Sequence, residues 1–216
     1  TYTEPTIFFE YSYAIARLAH KAGIASVYVT NGYMTREMLE LFQGTDGDHA
    51  RWLSAANVDL KAFRTETYKQ VCGARLQPVL DSLKTMVELG VWVEVTTLVV
   101  PDLNDSDGEL AELAQFIAQE LGPGTPWHVS RFHPDYKMFD RGPTPPETLH
   151  RAWELGREAG LHYVYVGNMP GARLEDTHCP SCGKAVVERH GFRVTANHVR
   201  EGKCPSCGAI IDGVGV

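Results

Sequence analysis

The sequence predicts an α/β protein built on a parallel sheet, followed by a small cysteine-rich module. Three observations carry this. From Pro5 onward, short β-branched runs alternate with longer amphipathic stretches, the pattern of repeated strand–helix units. The runs are mostly apolar, as strands covered by helices are, and polar residues gather at their C-terminal ends. Last, the knuckle CPSCG occurs twice within residues 176–216, a segment with no long amphipathic stretch. Right-handed crossovers would curl such a sheet into a barrel or partial barrel. A doubly wound open sheet is the second choice. No GxGxxG follows any strand, so dinucleotide binding has no support.

The elements follow in order. "PTIFFEYSYAIARLAHKAG" has Pro5 at a plausible first helical position, apolar residues at helical spacing and Gly23 as a stop. "SVYVTN" is a short strand ending in Asn31-Gly32. A helix over 35–42 precedes a polar loop at 43–49, and "ANVDLKAF" is the second strand. "ARLQPVLDSLKTMVELG" is an amphipathic helix closing on Gly90, and "VWVEVTTLVV" is the longest strand. "PDLNDS" is a turn in which Asp105 or Ser106 is placed to cap a helix over 107–121. "WHVSRF" is a fourth strand, "HPDYKMFDRGPTPP" a long loop, 146–159 a helix and "YVYVGN" a fifth strand. The expected division is a barrel portion over 1–170 and a metal-binding ribbon over 176–216.

The bulk numbers fit one domain with an appendage. The chain has 216 residues, of which 44% are hydrophobic and 22% charged, so neither disorder nor a fibrous repeat is expected. A net charge of −7 and a pI near 5.7 argue against a general phosphate-binding surface. No apolar run approaches the ~20 residues of a membrane helix. Five cysteines with paired CxxC clusters read as metal binding in a reducing compartment, and the cytoplasm is the expected location.

Cys179, Cys182, Cys204 and Cys207 form the two knuckles, with 21 residues between the pairs. Four thiolates at this spacing close a tetrahedral site with no open position, so the metal is expected to be structural. Zinc and iron both suit an S4 site. A segment of this size cannot stabilise itself by core burial alone, so metal binding is expected to supply folding energy. His178, His190 and His198 read as surface residues, and Cys72 as a buried, inert thiol.

In parallel barrels chemistry sits at the C-terminal strand ends. Thr30 and Asn31 end the first strand. Asp59 and Lys61, two apart, are expected on one face of the second, and Glu94 and Thr96 on one face of the third. Arg131 and His133 close the fourth strand, and Asn168 the fifth. Glu4 falls on the same rim, with an alternative role as a first-turn residue favoured by the helix dipole. Buried ion pairs are the structural alternative for these charges; convergence from five strands favours a binding site.

The stretches "TYTEPTIFFEY", "VYVTNGYMT", "ANVDLKAF", "VEVTTLVVPDLNDS", "WHVSRFHPDYKM" and "YVYVGN", with the paired knuckles, together resemble radical S-adenosylmethionine (SAM) enzymes. The resemblance is to the branch related to the pyruvate formate-lyase activating enzyme, and within it to the radical SAM member of the AmmeMemoRadiSam system. It implies a partial (β/α) TIM-like barrel holding a [4Fe–4S] cluster and SAM, with a 5′-deoxyadenosyl radical abstracting hydrogen from a substrate. It places Thr3 and Glu4 at the methionyl amine, Thr30 and Asn31 near SAM, Asp59 and Lys61 on its methionyl or ribose groups, and His133 near ribose or adenine. It also implies protein partners of the AMMECR1 and Memo types. Two motifs depart: Val29 stands where the activating enzymes carry Asp, and "YTEP" replaces their Gly-Gly-Glu. The cluster motif CxxxCxxC is absent from these residues, so the chain is read as lacking its first strand, its cluster loop and most of its second strand, and as inactive alone. Two rival readings stand beside this one. In an aldolase-like barrel Lys61 is a Schiff-base lysine. In a non-catalytic adaptor a metal ribbon accompanies a SAM- or protein-binding barrel.

Overall fold

A computed structural model of the chain describes residues 3–43, 51–169, 174–191 and 193–214. The chain divides into two compact units, Thr1–Leu60 with Arg64–Thr96, and Lys61–Phe63 with Thr97–Val216.

In the first unit Pro5 opens a 3-10 turn, Pro5–Phe8, that runs into α1 (Phe9–Lys21). Gly23, with φ of 70°, lets the Ile24 amide turn back to the Ala19 carbonyl at 2.9 Å, and the helix stops there. β1 (Val27–Thr30) leads to α2 (Arg36–Leu41), whose N-cap Thr35 accepts from the Met38 amide. The expected loop that follows lies, from 44 on, outside the described residues. β2 (Ala55–Asp59) is followed by α3 (Thr65–Thr67), which widens into a π-helical turn over Tyr68–Cys72. The sequence reading had no element here. Cys72, expected to be buried, is exposed at the end of that turn, because its helical segment is too short to bury a face. α4 (Leu76–Glu88) and β3 (Trp92–Val99) as far as Thr96 complete the unit.

β1, β2 and β3 pair in parallel with Val27 opposite Ala55 and Ala55 opposite Trp92. One face of these strands carries Tyr28, Ala56, Val58, Val93 and Val95, all buried. The other face of β1 is bare: Val27 and Val29 are 60% and 66% exposed. On α1 and the turn before it, Ile7, Tyr11, Ile15 and Leu18 are exposed as well. An aromatic cluster around the buried Phe42 collects Phe9, Tyr13 and Tyr28, with Trp52 against Tyr13.

In the second unit Asn104 secures the end of β3. Its Oδ1 accepts from the Val100 amide at 2.7 Å, while Nδ2 donates to the carbonyls of Lys61 (2.6 Å) and Leu98 (2.9 Å). Ser106 caps α5 (Asp107–Phe116), while Asp105 instead accepts from the Asp102 amide. A π-helical turn over Ile117–Leu121 ends that helix. β4 (Trp127–Arg131), α6 (Pro146–Glu158) and β5 (Val164–Gly167) follow. Trp127 is fully buried, donates to Thr97 Oγ1 at 3.0 Å and lies against Gly156 of α6.

The strands lie in chain order, β1-β2-β3-β4-β5. A doubly wound sheet reverses its order at a switch point; this one does not, and the barrel-type expectation is the one realised. The remaining strands, β6 (Thr177–His178), β7 (Ala185–His190) and β8 (Arg193–Asn197), form an antiparallel sheet. Among the described residues no helix is long and apolar enough to cross a membrane.

Candidate active-site face and metal centre

Glu4 is where the site begins. Its carboxylate caps the first turn through the Thr6 amide (3.3 Å) and hydroxyl (3.1 Å). The same carboxylate accepts from Thr30 Oγ1 at 2.6 Å and from the Asn31 amide at 2.8 Å. Glu4 is thus the N-cap of the 3-10 turn rather than a residue of its first turn, and it also latches the turn at the end of β1. That turn is internally fixed. Thr30 Oγ1 accepts from the Gly32 amide and Asn31 Oδ1 from the Tyr33 amide. Gly32 has φ of 72°, and a Cβ there would lie 2.6 Å from Val58 Cγ1, so no other residue fits. Thr30 is buried, Asn31 exposed, and Thr3 exposed at the chain's described start.

On the half-buried face of β2 and β3, Asn57 stands opposite Glu94 and Asp59 opposite Thr96. Thr96 donates to Asn57 Oδ1 at 2.8 Å, and the Trp92 indole to Glu94 at 3.1 Å. The face thus presents carboxylates, an amide and a hydroxyl beside an indole, able to accept from ammonium and hydroxyl groups of a ligand. β2 ends at Asp59, and Lys61 is exposed in the connection that follows.

In the second unit the half-buried His128 and Ser130 of β4 stand opposite Tyr165 and Gly167 of β5. The His128 and Tyr165 rings stack at 5.2 Å. Arg131 turns to the Thr144 carbonyl at 2.8 Å, and His133 is exposed with Nδ1 3.1 Å from the Pro134 carbonyl. Asn168, with φ of 59°, leans toward the Arg131 carbonyl. Asn57, Trp92, His128, Ser130 and Tyr165 were not among the expected site residues. The signal was present: alternation with buried Ala56, Val58, Val93, Trp127, Val129 and Val166 sets their side.

The four knuckle cysteines meet as expected. Their sulfur atoms all lie within 4.8 Å of one another, with Cys179–Cys207 at 3.6 Å and Cys182–Cys204 at 3.7 Å. A tetrahedron with metal–sulfur bonds near 2.3 Å has edges of about 3.8 Å, so the residues fit a closed S4 metal site. The two knuckles are built alike. The Gly183 amide donates to Cys179 O and the Gly208 amide to Cys204 O, each at 2.9 Å, and both glycines have positive φ. The Cys179 and Cys204 amides donate to Lys184 O and Ala209 O, each at 2.8 Å. The Ser206 amide, helped by that of Cys207, favours the thiolate of Cys204, while burial and the neighbouring thiols push Cys182 the other way. His178, His190 and His198 are exposed, as expected.

Comparison with known proteins completes the picture. A model of the radical SAM superfamily matches residues 1–116. An uncharacterized protein of Methanocaldococcus jannaschii is 44% identical over 214 residues, 98% of this chain and 61% of the relative. The chain thus spans about three fifths of that relative's length. Among solved structures, a domain of a pyruvate-formate lyase-activating enzyme from Bacteroides vulgatus superposes with a TM-score of 0.65 at 15% identity, covering 78% of this chain and 96% of that one. A radical SAM methyltransferase from Sphaerobacter thermophilus gives 0.59 at 16% identity, covering 77% and 49%. SuiB of Streptococcus suis bound to S-adenosylmethionine gives 0.59 at 15%, covering 76% and 38%. These low identities show a shared fold. With the superfamily model covering more than half of its residues, the chain belongs to the radical SAM superfamily.

Proposed function

We propose that this chain carries the SAM-binding portion of a radical SAM enzyme of the activating-enzyme type. The supporting observation is the latch of Glu4 onto Thr30 and Asn31 at the end of β1, beside strands that present Asn57, Asp59 and Glu94 on one face. In this reading the backbone around Thr3 and Glu4 and the Thr30-Asn31-Gly32 turn hold the methionyl end of SAM. Asp59 accepts from its amine or hydroxyls, and Lys61 and His133 serve ribose and adenine. In this superfamily SAM, when reductively cleaved at a [4Fe–4S] cluster, supplies a 5′-deoxyadenosyl radical. The residues present do not fit that cluster: no CxxxCxxC occurs in the 216 residues, and the four knuckle cysteines close on a metal of their own. Cluster ligands are therefore proposed to come from outside these residues, and the chain alone to be inactive. AMMECR1-type and Memo-type partners, a cytoplasmic location and zinc or iron in the ribbon belong to the same proposal.

The test is calorimetric titration of SAM into this chain, wild type and Asp59→Ala. Wild type is expected to bind SAM and the variant to bind at least about tenfold more weakly, as loss of a charged hydrogen bond implies. Absence of SAM binding by a folded wild-type chain sinks the reading. Lys61, exposed beyond the strand end, lacks the burial a Schiff-base lysine needs, so the aldolase reading loses its support. The adaptor reading keeps one: the closed metal site. It requires SAM binding without 5′-deoxyadenosine formation even in a longer, cluster-loaded protein.

A further inference from the structure

Among the described residues the ribbon meets β5 and the residues just before it, through groups that stand close in the chain to the metal-ligating knuckles. At the edge, the Val166 amide donates to the Leu174 carbonyl at 3.0 Å. Before the strand, Tyr163 is buried, and its hydroxyl donates to Asp212 Oδ2 (3.2 Å) while accepting from the Asp212 amide (3.0 Å). His162 Nδ1 meets the same carboxylate at 3.2 Å. Burial pushes the Tyr163 phenol up, with the Asp212 charge adding to it, so the phenol stays a donor at neutral pH. On the strand's half-buried face, Tyr165 OH pairs with Thr177 Oγ1 at 2.9 Å, and the Arg189 guanidinium lies 5.5 Å over the Tyr165 ring. Arg189 is itself fixed by the Thr177 hydroxyl (2.7 Å) and the Glu175 carbonyl (3.1 Å).

Thr177 stands two residues before the ligand Cys179, and it pairs with Val187. Asp212 stands five residues after the ligand Cys207, in a segment held by the Ile211 amide to the Gly202 carbonyl at 2.8 Å. The ribbon's buried core is Cys179, Val186, Val187, Val199, Cys204 and Ile211, and two of these six are metal ligands. Such a core does not hold two anchor points in place without its metal.

We propose that the ribbon is a metal-dependent clamp on β5. Metal in the four-cysteine site fixes Thr177, Arg189 and Asp212, and these act as positioning residues for Tyr163 and for the Tyr165–His128 stack on the sheet face. Loss of metal releases the strand and its aromatic pair. The proposal rests on the closed metal site described above, and needs neither SAM nor turnover.

Hydrogen exchange read by mass spectrometry tests it on the whole chain, zinc-loaded and after chelation. The reporters are the amides of Trp127, His162 and Val166, which donate to Tyr163 O, Pro123 O and Leu174 O. Chelation is expected to speed their exchange on the order of tenfold or more, leaving the amides of β2 and the first half of β3 unchanged. If chelation unfolds the whole chain, the zinc-loaded double variant Thr177→Val/Asp212→Ala decides: its reporters exchange faster with zinc stoichiometry kept. Ribbon amides that exchange freely while all three reporters keep their zinc-loaded rates overturn the clamp. So does a double variant with unaltered reporters. A folded chain that takes up no zinc or iron refutes the metal site instead, which separates the two failures.

Discussion

Asn104 makes three side-chain hydrogen bonds, accepting one through its oxygen and donating two through its NH2 group, on backbone groups of three different residues. It is 2% exposed, so nothing in water replaces a lost partner. Asn104→Ala is expected to cost about 2 kcal/mol and Asn104→Asp about 3 or more, because the carboxylate turns an acceptor toward two carbonyls. Urea titration at neutral pH measures both. At low pH the gap narrows, since a protonated Asp regains one donor; equal costs for both variants would refute this account. The sequence showed "PDLNDS" as a turn and no more. Burial of Asn104 depends on Lys61, 43 residues earlier, and such long-range partners leave no mark on a local pattern. Glu4 was more legible. Its place beside Pro5 tied it to the first helical turn, but the hydrogen bonds to Thr30 and Asn31 span 26 and 27 residues and needed the fold.

Strands and helices repeat the lesson at larger spacing. The five parallel strands and the four longest helices were readable because their apolar periods are strong. "TETYKQVC" has no such period, and the α3 and π-helical segment went unseen. On β4 the sequence reading followed the charged residues, Arg131 and His133, to the strand end. The pleat instead pairs His128 and Ser130 with Tyr165 and Gly167. α6 owes its close seat on β4 and β5 to Gly156, where a Cβ would lie 2.7 Å from Val164 Cγ2 and 3.0 Å from Trp127 Cε3. Gly156→Ala gains helix propensity of up to about 1 kcal/mol but overpacks a fully buried indole, so a net loss of about 1–3 kcal/mol is expected. Thermal unfolding followed by tryptophan fluorescence reads it. An unchanged or raised midpoint would mean that the helix shifts freely.

For the whole molecule, strand–helix alternation fixed the barrel-type class, and sequential strand order selected it over the doubly wound form. The four-cysteine site was legible to the residue, since CxxC spacing encodes the geometry directly. The candidate site face was legible only in outline, because neighbours across strands decide which polar groups meet.

The exposed face of β1 gives this chain a preferred point of association. Val27 and Val29 stand 60% and 66% exposed there, and Ile7, Tyr11, Ile15 and Leu18 are exposed on α1 and the turn before it. Self-association of this chain through that apolar surface is expected to grow with concentration in sedimentation velocity and to weaken in Val29→Lys. An unchanged distribution in the variant would place the contact elsewhere on the molecule.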